Sequence, residues 1–371
     1  MLPVLNDVKN VAPFWQKKDK KVTIDSGVAR LHYKVTFTLL LMTCILASSW
    51  SFFGKAIQCM QDDFQVRQEA LDQFCYVSST FSLPTHFHQP KVGKSIPYIG
   101  IGTIDEEEPV YHNYYQWVSF ILLLQACFFY APHYLWKTFE NGKVKSLIDG
   151  LTSQSLSSIN PETEEKILHL VDYLYNTRSG HKFFGLKYII CESLYFVNIV
   201  LQIVVNEWFL GGGFVTLGFR ALSFLNMDPE VRTDPLYIIF PRMTKCTFKR
   251  FGPSGTIQIH DSLCLLAINI INEKIYLFFS FWFFILLVIT SVYYLYRLCI
   301  LLSPRLRRLS VRELKMNFDY GDYLLLNFLK VNITDEYVFI RIMDELRKRI
   351  EGKTTEKEKL MNGEETANRF N

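Results

Sequence analysis

Four long apolar runs, three of them free of charge, restrict this chain more than any motif in it. A helix that crosses a bilayer needs about 20 consecutive, mostly apolar residues. Val35 to Gly54 lies between Lys34 and Lys55, Tyr115 to Trp136 is closed by Lys137, and Ile275 to Tyr296 lies between Lys274 and Arg297. The remaining run, Tyr188 to Leu210, meets the length but carries Glu192 and Glu207. Hydrophobic residues make up 49% of the chain and aromatics 15%, clustered in these runs rather than spread with a helical or strand period. That distribution excludes a soluble two-domain protein of this length. The net charge of +4 is too small to argue for nucleic-acid binding. Residues 1–34 are polar and basic, so the first run reads as a signal anchor rather than a cleaved signal.

An even number of spans places both termini on one side, and basic residues choose the side. Lys17, Lys18, Lys20, Lys21, Arg30 and Lys34 precede the first run; Arg297, Arg305, Arg307, Arg308, Arg312 and Lys315 follow the last. Both termini are therefore expected in the cytoplasm of a multi-pass plasma-membrane protein. The segment between runs one and two is acid-rich around Asp105 to Glu108 and fits the outside. The other outer segment, with Lys245, Lys249 and Arg250, is more basic than the rule prefers, but its neighbours force its orientation.

The expected organisation is a cytoplasmic amino-terminal segment (1–34), spans at 35–54, 115–136, 188–210 and 275–296, outer loops at 55–114 and 211–274, an inner loop at 137–187, a helical cytoplasmic tail at 297–350 and a disordered end at 351–371. The fold class is an all-α membrane protein: a four-transmembrane-helix bundle with a small disulfide-linked extracellular α/β region and a helical cytoplasmic domain.

Cysteine placement agrees with that topology. Cys44, Cys127, Cys191 and Cys299 fall in or beside spans, while Cys59, Cys75, Cys246 and Cys264 fall two in each outer loop. Cysteines facing an oxidising exterior usually pair, so two disulfides are expected, in one of three connectivities. Asn332-Ile-Thr334, the one N-glycosylation triplet, lies in the predicted cytoplasmic tail, which leaves both outer loops bare.

In the second outer loop Thr247 to Phe251, Gly252-Pro-Ser-Gly255 and Thr256 to His260 read as strand, turn and strand. Pro161 to Tyr175, with Asn160 before it and acids in its first turn, reads as an inner-loop helix. Val311 to Phe328 and Asp335 to Ile350 read as amphipathic tail helices. Leu2, Leu5, Val8 and Val11 recur at helical spacing until Pro13, which taken alone favours a segment on the membrane surface.

No residue pattern points to catalysis. His86 and His88 form the only close histidine pair, with His112 nearby, too few for a di-metal site, and there is no phosphate-binding loop, nucleophile elbow or CxxC pair. No enzyme, cofactor or metal is expected. Polar residues within the spans carry more information, because an ionisable group at the bilayer centre costs about 2.5 to 3.5 kcal/mol on insertion scales. Glu192, Tyr195, Asn198, Gln202 and Asn206 share a face of the third span, suited to interhelical hydrogen bonds or a water-filled lumen. Pro132 removes a backbone donor near the inner end of the second span and should bend it.

With the topology in place, Tyr114-Tyr115-Gln116-Trp117-Val118 at the outer end of the second of four spans, followed by Tyr130-Ala-Pro-His-Tyr-Leu-Trp-Lys137, resembles the signature of the innexins. Arg30-Leu-His-Tyr33, Phe74 to Pro84, Asp234 to Phe248, His260 to Cys264 and Asn269 to Tyr276 extend the resemblance over about residues 1–350, in the style of insect members. Ala56, Ala267, His133 and Trp50 depart from the usual pattern, as in a divergent or virus-borne paralogue.

The resemblance implies a hemichannel of eight subunits, a homo- or hetero-oligomer with other innexins, that docks with a hemichannel of the neighbouring cell. It implies disulfides Cys59–Cys264 and Cys75–Cys246, and an amino terminus folded into the pore as a funnel, with Met1, Leu2, Leu5, Asn6 and Lys9 as its candidate residues; this replaces the membrane-surface expectation. The function implied is a gap-junction channel passing ions and small solutes between adjacent cells. A non-junctional hemichannel and a four-span adhesion scaffold are the alternatives; bare outer loops favour docking over the first, and the polar face of the third span disfavours the second.

Overall fold

A computed structural model describes residues 22–61, 66–87, 98–102, 108–149, 151, 161–178, 180–225, 234–310, 318–333 and 335–367. The funnel candidates Met1, Leu2, Leu5, Asn6 and Lys9, together with His88, Asn160 and residues 311–317, lie outside them.

Four helices are long and apolar enough to cross a membrane: α1 (Gly27–Phe53), α3 (Val118–Glu140), α6 (Lys182–Phe209) and α9 (Ala267–Leu302). Each is longer than its apolar run because charged residues can extend a helix beyond the hydrocarbon but cannot sit within it cheaply. In α1 the stretch Leu31–Thr36 is π-helical, and Thr36 Oγ1 donates to the Leu31 carbonyl at 2.9 Å. The shorter helices are α2 (Gln68–Ser78), α4 (Lys143–Ile148), α5 (Pro161–Asn176), α7 (Phe214–Leu225), α8 (Pro235–Ile239), α10 (Pro304–Ser310), α11 (Tyr320–Asn332) and α12 (Glu336–Ala367).

The chain divides into two units. In the unit made of residues 27–133 and 193–293, one hydrophobic core joins Leu40 and Ala47 of α1, Leu122, Ala126 and Phe129 of α3, Ile199 of α6 and Phe279, Phe283 and Leu286 of α9. Its polar groups pair with one another, across helices or within one, as a bilayer favours. Gln125 Nε2 donates to Asn206 Oδ1 at 2.8 Å, Gln202 Nε2 to Asn198 Oδ1 at 3.1 Å, and Trp282 Nε1 to Thr36 Oγ1 at 3.0 Å. His32 Nε2 lies 2.9 Å from Thr290 Oγ1. Of the polar face expected on the third span, Asn198, Gln202 and Asn206 thus take part in hydrogen bonds within the chain. Tyr33 stacks on His133, with ring centroids 3.7 Å apart, and Pro132 is buried inside α3.

A five-stranded sheet belongs to the same unit. Its strands are β1 (Gln58–Met60), β2 (Thr80–Ser82), β3 (Val110–His112), β4 (Met243–Phe251) and β5 (Ile257–Leu265), in the spatial order β1-β5-β4-β2-β3, all antiparallel. β4 and β5 form the expected hairpin and run longer than the sequence pattern marks. Its turn closes with Gly252 N–H donating to the Thr256 carbonyl at 2.7 Å, and Gly255 takes φ 80°, where a Cβ would be strained.

The other unit comprises residues 1–26, 134–192 and 294–371. Its core gathers Trp136, Val144, Ile148, Ile167, Val171, Leu174, Tyr188, Leu324, Leu325, Phe339, Ile342 and Leu346. α5 and α12 run parallel, tied at one offset by Arg341 to Glu164, 2.9 Å, and by Arg349 to Asp172. Asn332 holds the chain before α1 by donating Nδ2 to the Thr23 carbonyl and accepting from Thr23 N–H. Composition predicts disorder from Glu351; instead the backbone of α12 stays helical to Ala367. The Lys, Glu, Leu and Met of that stretch are good helix formers, and a helix already under way needs no apolar face to continue.

Candidate functional site

The two loops on one end of the spans are joined by two disulfides. Cys59 of β1 and Cys264 of β5 face each other in register and are bonded; Cys75 of α2 is bonded to Cys246 of β4. The two bridges are neighbours: the sulfurs of Cys59, Cys75 and Cys264 lie within 4.8 Å of one another. All four cysteines are buried, with Ile57, Leu71, Tyr115, Leu266 and Ile268 around them. Apolar surroundings exclude the thiols and hydroxide that would attack the bridges, because disulfide exchange needs access by a thiolate.

α2 is fastened to β1 by side chains near its start. Asp72 Oδ1 accepts from Cys59 N–H at 2.8 Å, and Gln68 Nε2 donates to the Cys59 carbonyl at 2.5 Å. Leu71 and Cys75, one turn apart, form its buried face. Ser79 ends the helix at φ 75°, reversing the chain into β2.

Basic residues of the second loop are matched by nearby acids. Lys245 Nζ lies 3.0 Å from Asp261 Oδ2, and Arg242 Nη2 is 2.7 Å from Glu273 Oε2 and 3.2 Å from Asp234 Oδ2.

The signature residues occupy the joint between sheet and span. Tyr115 is buried, its hydroxyl donating to the Tyr76 carbonyl at 3.3 Å. Gln116 Nε2 donates to the same carbonyl at 2.6 Å and to that of Val77 at 3.3 Å. Tyr114 packs edge-on to Phe209 and Phe240. Burial, then the neighbouring Tyr276, raises its phenol well above the ordinary tyrosine value. Val118 is buried at the start of α3, whereas Trp117 and Tyr111 are exposed. The signature therefore divides into rings turned outward, as interfacial anchors are, and residues that bind α2 to the head of the second span.

His112, at the edge strand β3, is buried with Nε2 2.6 Å from Ser82 Oγ; burial pushes its imidazole down to about 4. It serves the sheet by a hydrogen bond.

Two features went unread in the sequence. Strands of three residues in the first loop carry no detectable alternation, so β1, β2 and β3 had no signal. Arg297, read as a flanking charge, is buried: its Nε lies 3.1 Å from Glu192 Oε1, and its Nη2 donates to the Tyr188 hydroxyl at 2.8 Å.

The Innexin family model matches residues 25–350. The chain is 37% identical over 366 residues to innexin inx2 of Drosophila melanogaster, covering 95% of this chain and 97% of the relative. It is 37% identical over 367 residues to innexin inx2 of Schistocerca americana, covering 95% and 99%. Identity to innexin shaking-B of Drosophila melanogaster is 35% over 368 residues, covering 94% and 95%. A family match that contains all four spans and both disulfides, and relatives matched almost end to end, identify the chain as a member of the innexin family of gap-junction channel proteins.

Proposed function

We propose that this chain is the subunit of a gap-junction channel, an octameric hemichannel that docks through its two disulfide-linked loops with a hemichannel of the adjoining cell. One observation carries the docking reading: strands from both loops share a single sheet, bridged twice. Contact with a facing partner needs a surface already ordered before the encounter, since ordering it on contact would cost affinity. Disulfides form in an oxidising compartment, so the bridged end faces outward and both termini face the cytoplasm, as the flanking basic residues also require. Folding of Met1, Leu2, Leu5, Asn6 and Lys9 into the pore mouth belongs to the same proposal. Ions and small solutes would then pass by diffusion, selected by pore width and lining charge.

Paired-cell recording tests this. Both cells expressing the chain should show junctional conductance, and Cys59→Ser or Cys246→Ser should abolish it while surface protein persists. Conductance across single membranes but never between paired cells would establish a non-junctional hemichannel instead.

A further inference from the structure

Beyond Phe209 the chain turns on Gly211, Gly212 and Gly213, with φ of 68°, 102° and 93°. Only glycine takes that run of conformations without strain. The helix that follows, α7, carries large apolar residues both toward the core and on its exposed side. Phe214 and Leu217 are buried in the span core, while Val215, Phe219 and Leu222, spaced at i, i+4 and i+7, are 56%, 59% and 50% exposed. Beside that exposed apolar stripe runs an exposed polar one, Thr216, Arg220 and Ser223, a pairing that suits a helix at a membrane rather than one in water.

Its place along α9 gives its depth. A Cβ at Gly218 would come within 2.9 Å of Ser280 Oγ and 3.0 Å of the Phe281 ring, so this glycine lets the two helices touch. Phe214 meets Phe283 with ring centroids 6.3 Å apart, and Phe219 meets Phe284 at 5.9 Å. The uncharged run of α9, from Ile275 to Tyr296, is about 33 Å long at 1.5 Å per residue and fills a bilayer core of about 30 Å. Ser280 to Phe284 therefore sit roughly 8 to 14 Å inside its end. Phe278, Phe284 and Ile285 of α9 are exposed beside them, so the exposed face of α7 continues the exposed apolar surface of a span.

The polar groups of α7 are arranged as hydrocarbon demands. Glu207 accepts from Gly213 N–H at 2.8 Å and from Val215 N–H at 2.9 Å, capping amides that the first turn leaves unpaired. Thr216 donates to the Gly213 carbonyl at 3.3 Å and Ser223 to that of Phe219 at 2.9 Å. Arg220 is the one charge on α7, on a stem long enough to reach the headgroups.

We propose that α7 is a fifth membrane-embedded segment, a half-length helix set into the leaflet on the disulfide side against the fourth span, and that Val215, Phe219 and Leu222 bind lipid acyl chains. The inference rests on the four-span architecture and not on conduction.

Spin labels distinguish the possible occupants of this face. Val215→Cys, Phe219→Cys and Leu222→Cys are each placed in the full chain with Cys44, Cys127, Cys191 and Cys299 replaced by serine, then labelled in phosphatidylcholine proteoliposomes. Relaxation by oxygen, which concentrates in lipid, should exceed relaxation by a water-soluble nickel chelate severalfold at these sites; a label at Phe251, on the exposed hairpin tip, should show the reverse. Greater relaxation by nickel at Phe219 and Leu222 would place the helix in water and overturn the proposal. Weak relaxation by both reagents would show a second copy of the chain covering the face, which also overturns it. Three labelled positions keep the result decisive if one variant does not fold.

Discussion

Gln116 donates its side-chain amide to the backbone carbonyl of Tyr76, 2.6 Å away and on a different loop segment. Tyr76 follows Cys75 of the second disulfide, so this one bond ties the head of a membrane span to the bridged sheet. Gln116→Ala should cost about 1 kcal/mol and lower the thermal midpoint of the detergent-solubilised protein. Gln116→Glu should cost more, because a carboxylate facing a carbonyl can only accept. Equal midpoints for the two variants would show that packing, not donation, is what the residue supplies.

His112 makes the sheet sensitive to acid. Its folded pKa of about 4 lies below the unfolded value near 6.5, so the unfolded chain takes up the proton first as pH falls. Its contribution is complete above about pH 6.5, is lost progressively down to about pH 4, and totals at most about 3 kcal/mol. The groups that face it, Ser82 and the Tyr114 ring, do not titrate in that window. Denaturation midpoints measured across it should slope for the wild type and slope less steeply for His112→Gln.

The buried Glu192–Arg297 pair should show strong coupling. Removing one partner leaves the other charge unneutralised at about 3–5 kcal/mol, whereas replacing both with apolar residues costs far less. Glu192→Leu should therefore be more damaging than Glu192→Leu with Arg297→Leu, as read from the yield of monodisperse protein and its thermal midpoint. Additive losses would mean that the contact at 3.1 Å carries no net energy.

Gly321 opens α11 where a Cβ would overlap the His181 carbonyl oxygen. Close beside it His181 Nδ1 meets Asp322 Oδ1 at 2.8 Å, both buried. Gly321→Ala must push α11 away from this pair and should destabilise its unit by about 1–3 kcal/mol. Hydrogen exchange should rise across residues 320–332 and not in the sheet.

The uncharged runs betray the spans because a bilayer forbids charge over their length. The β4–β5 hairpin shows because long strands flank Gly252-Pro-Ser-Gly255. What stayed hidden depends on residues distant in sequence. Glu192 stood out as an expensive charge, but its partner lies 105 residues away and resembled an ordinary flanking arginine. Glu207 was equally conspicuous; its use as a cap depends on a turn of three glycines whose backbone angles no composition reveals. Gly321 differs from other glycines only in what approaches it. Within the signature Gln116 was legible, because a lipid anchor has no use for an amide, and it is turned to the backbone of α2; which rings are buried, as Tyr115 is, and which exposed, as Trp117 is, emerged only in the fold.

The strand order β1-β5-β4-β2-β3 also bears on how a cell makes this protein. The ribosome delivers β1, α2 and β2 well before β4 and β5, and the final bridges span 205 and 171 residues. Until the second loop has been translocated, Cys59 and Cys75 have only each other as loop partners. Any bridge formed between them at that stage would have to be undone by thiolate exchange before the native pairs can form. Output of assembled channels should therefore follow the disulfide-isomerase capacity of the secretory compartment as well as the rate of translation.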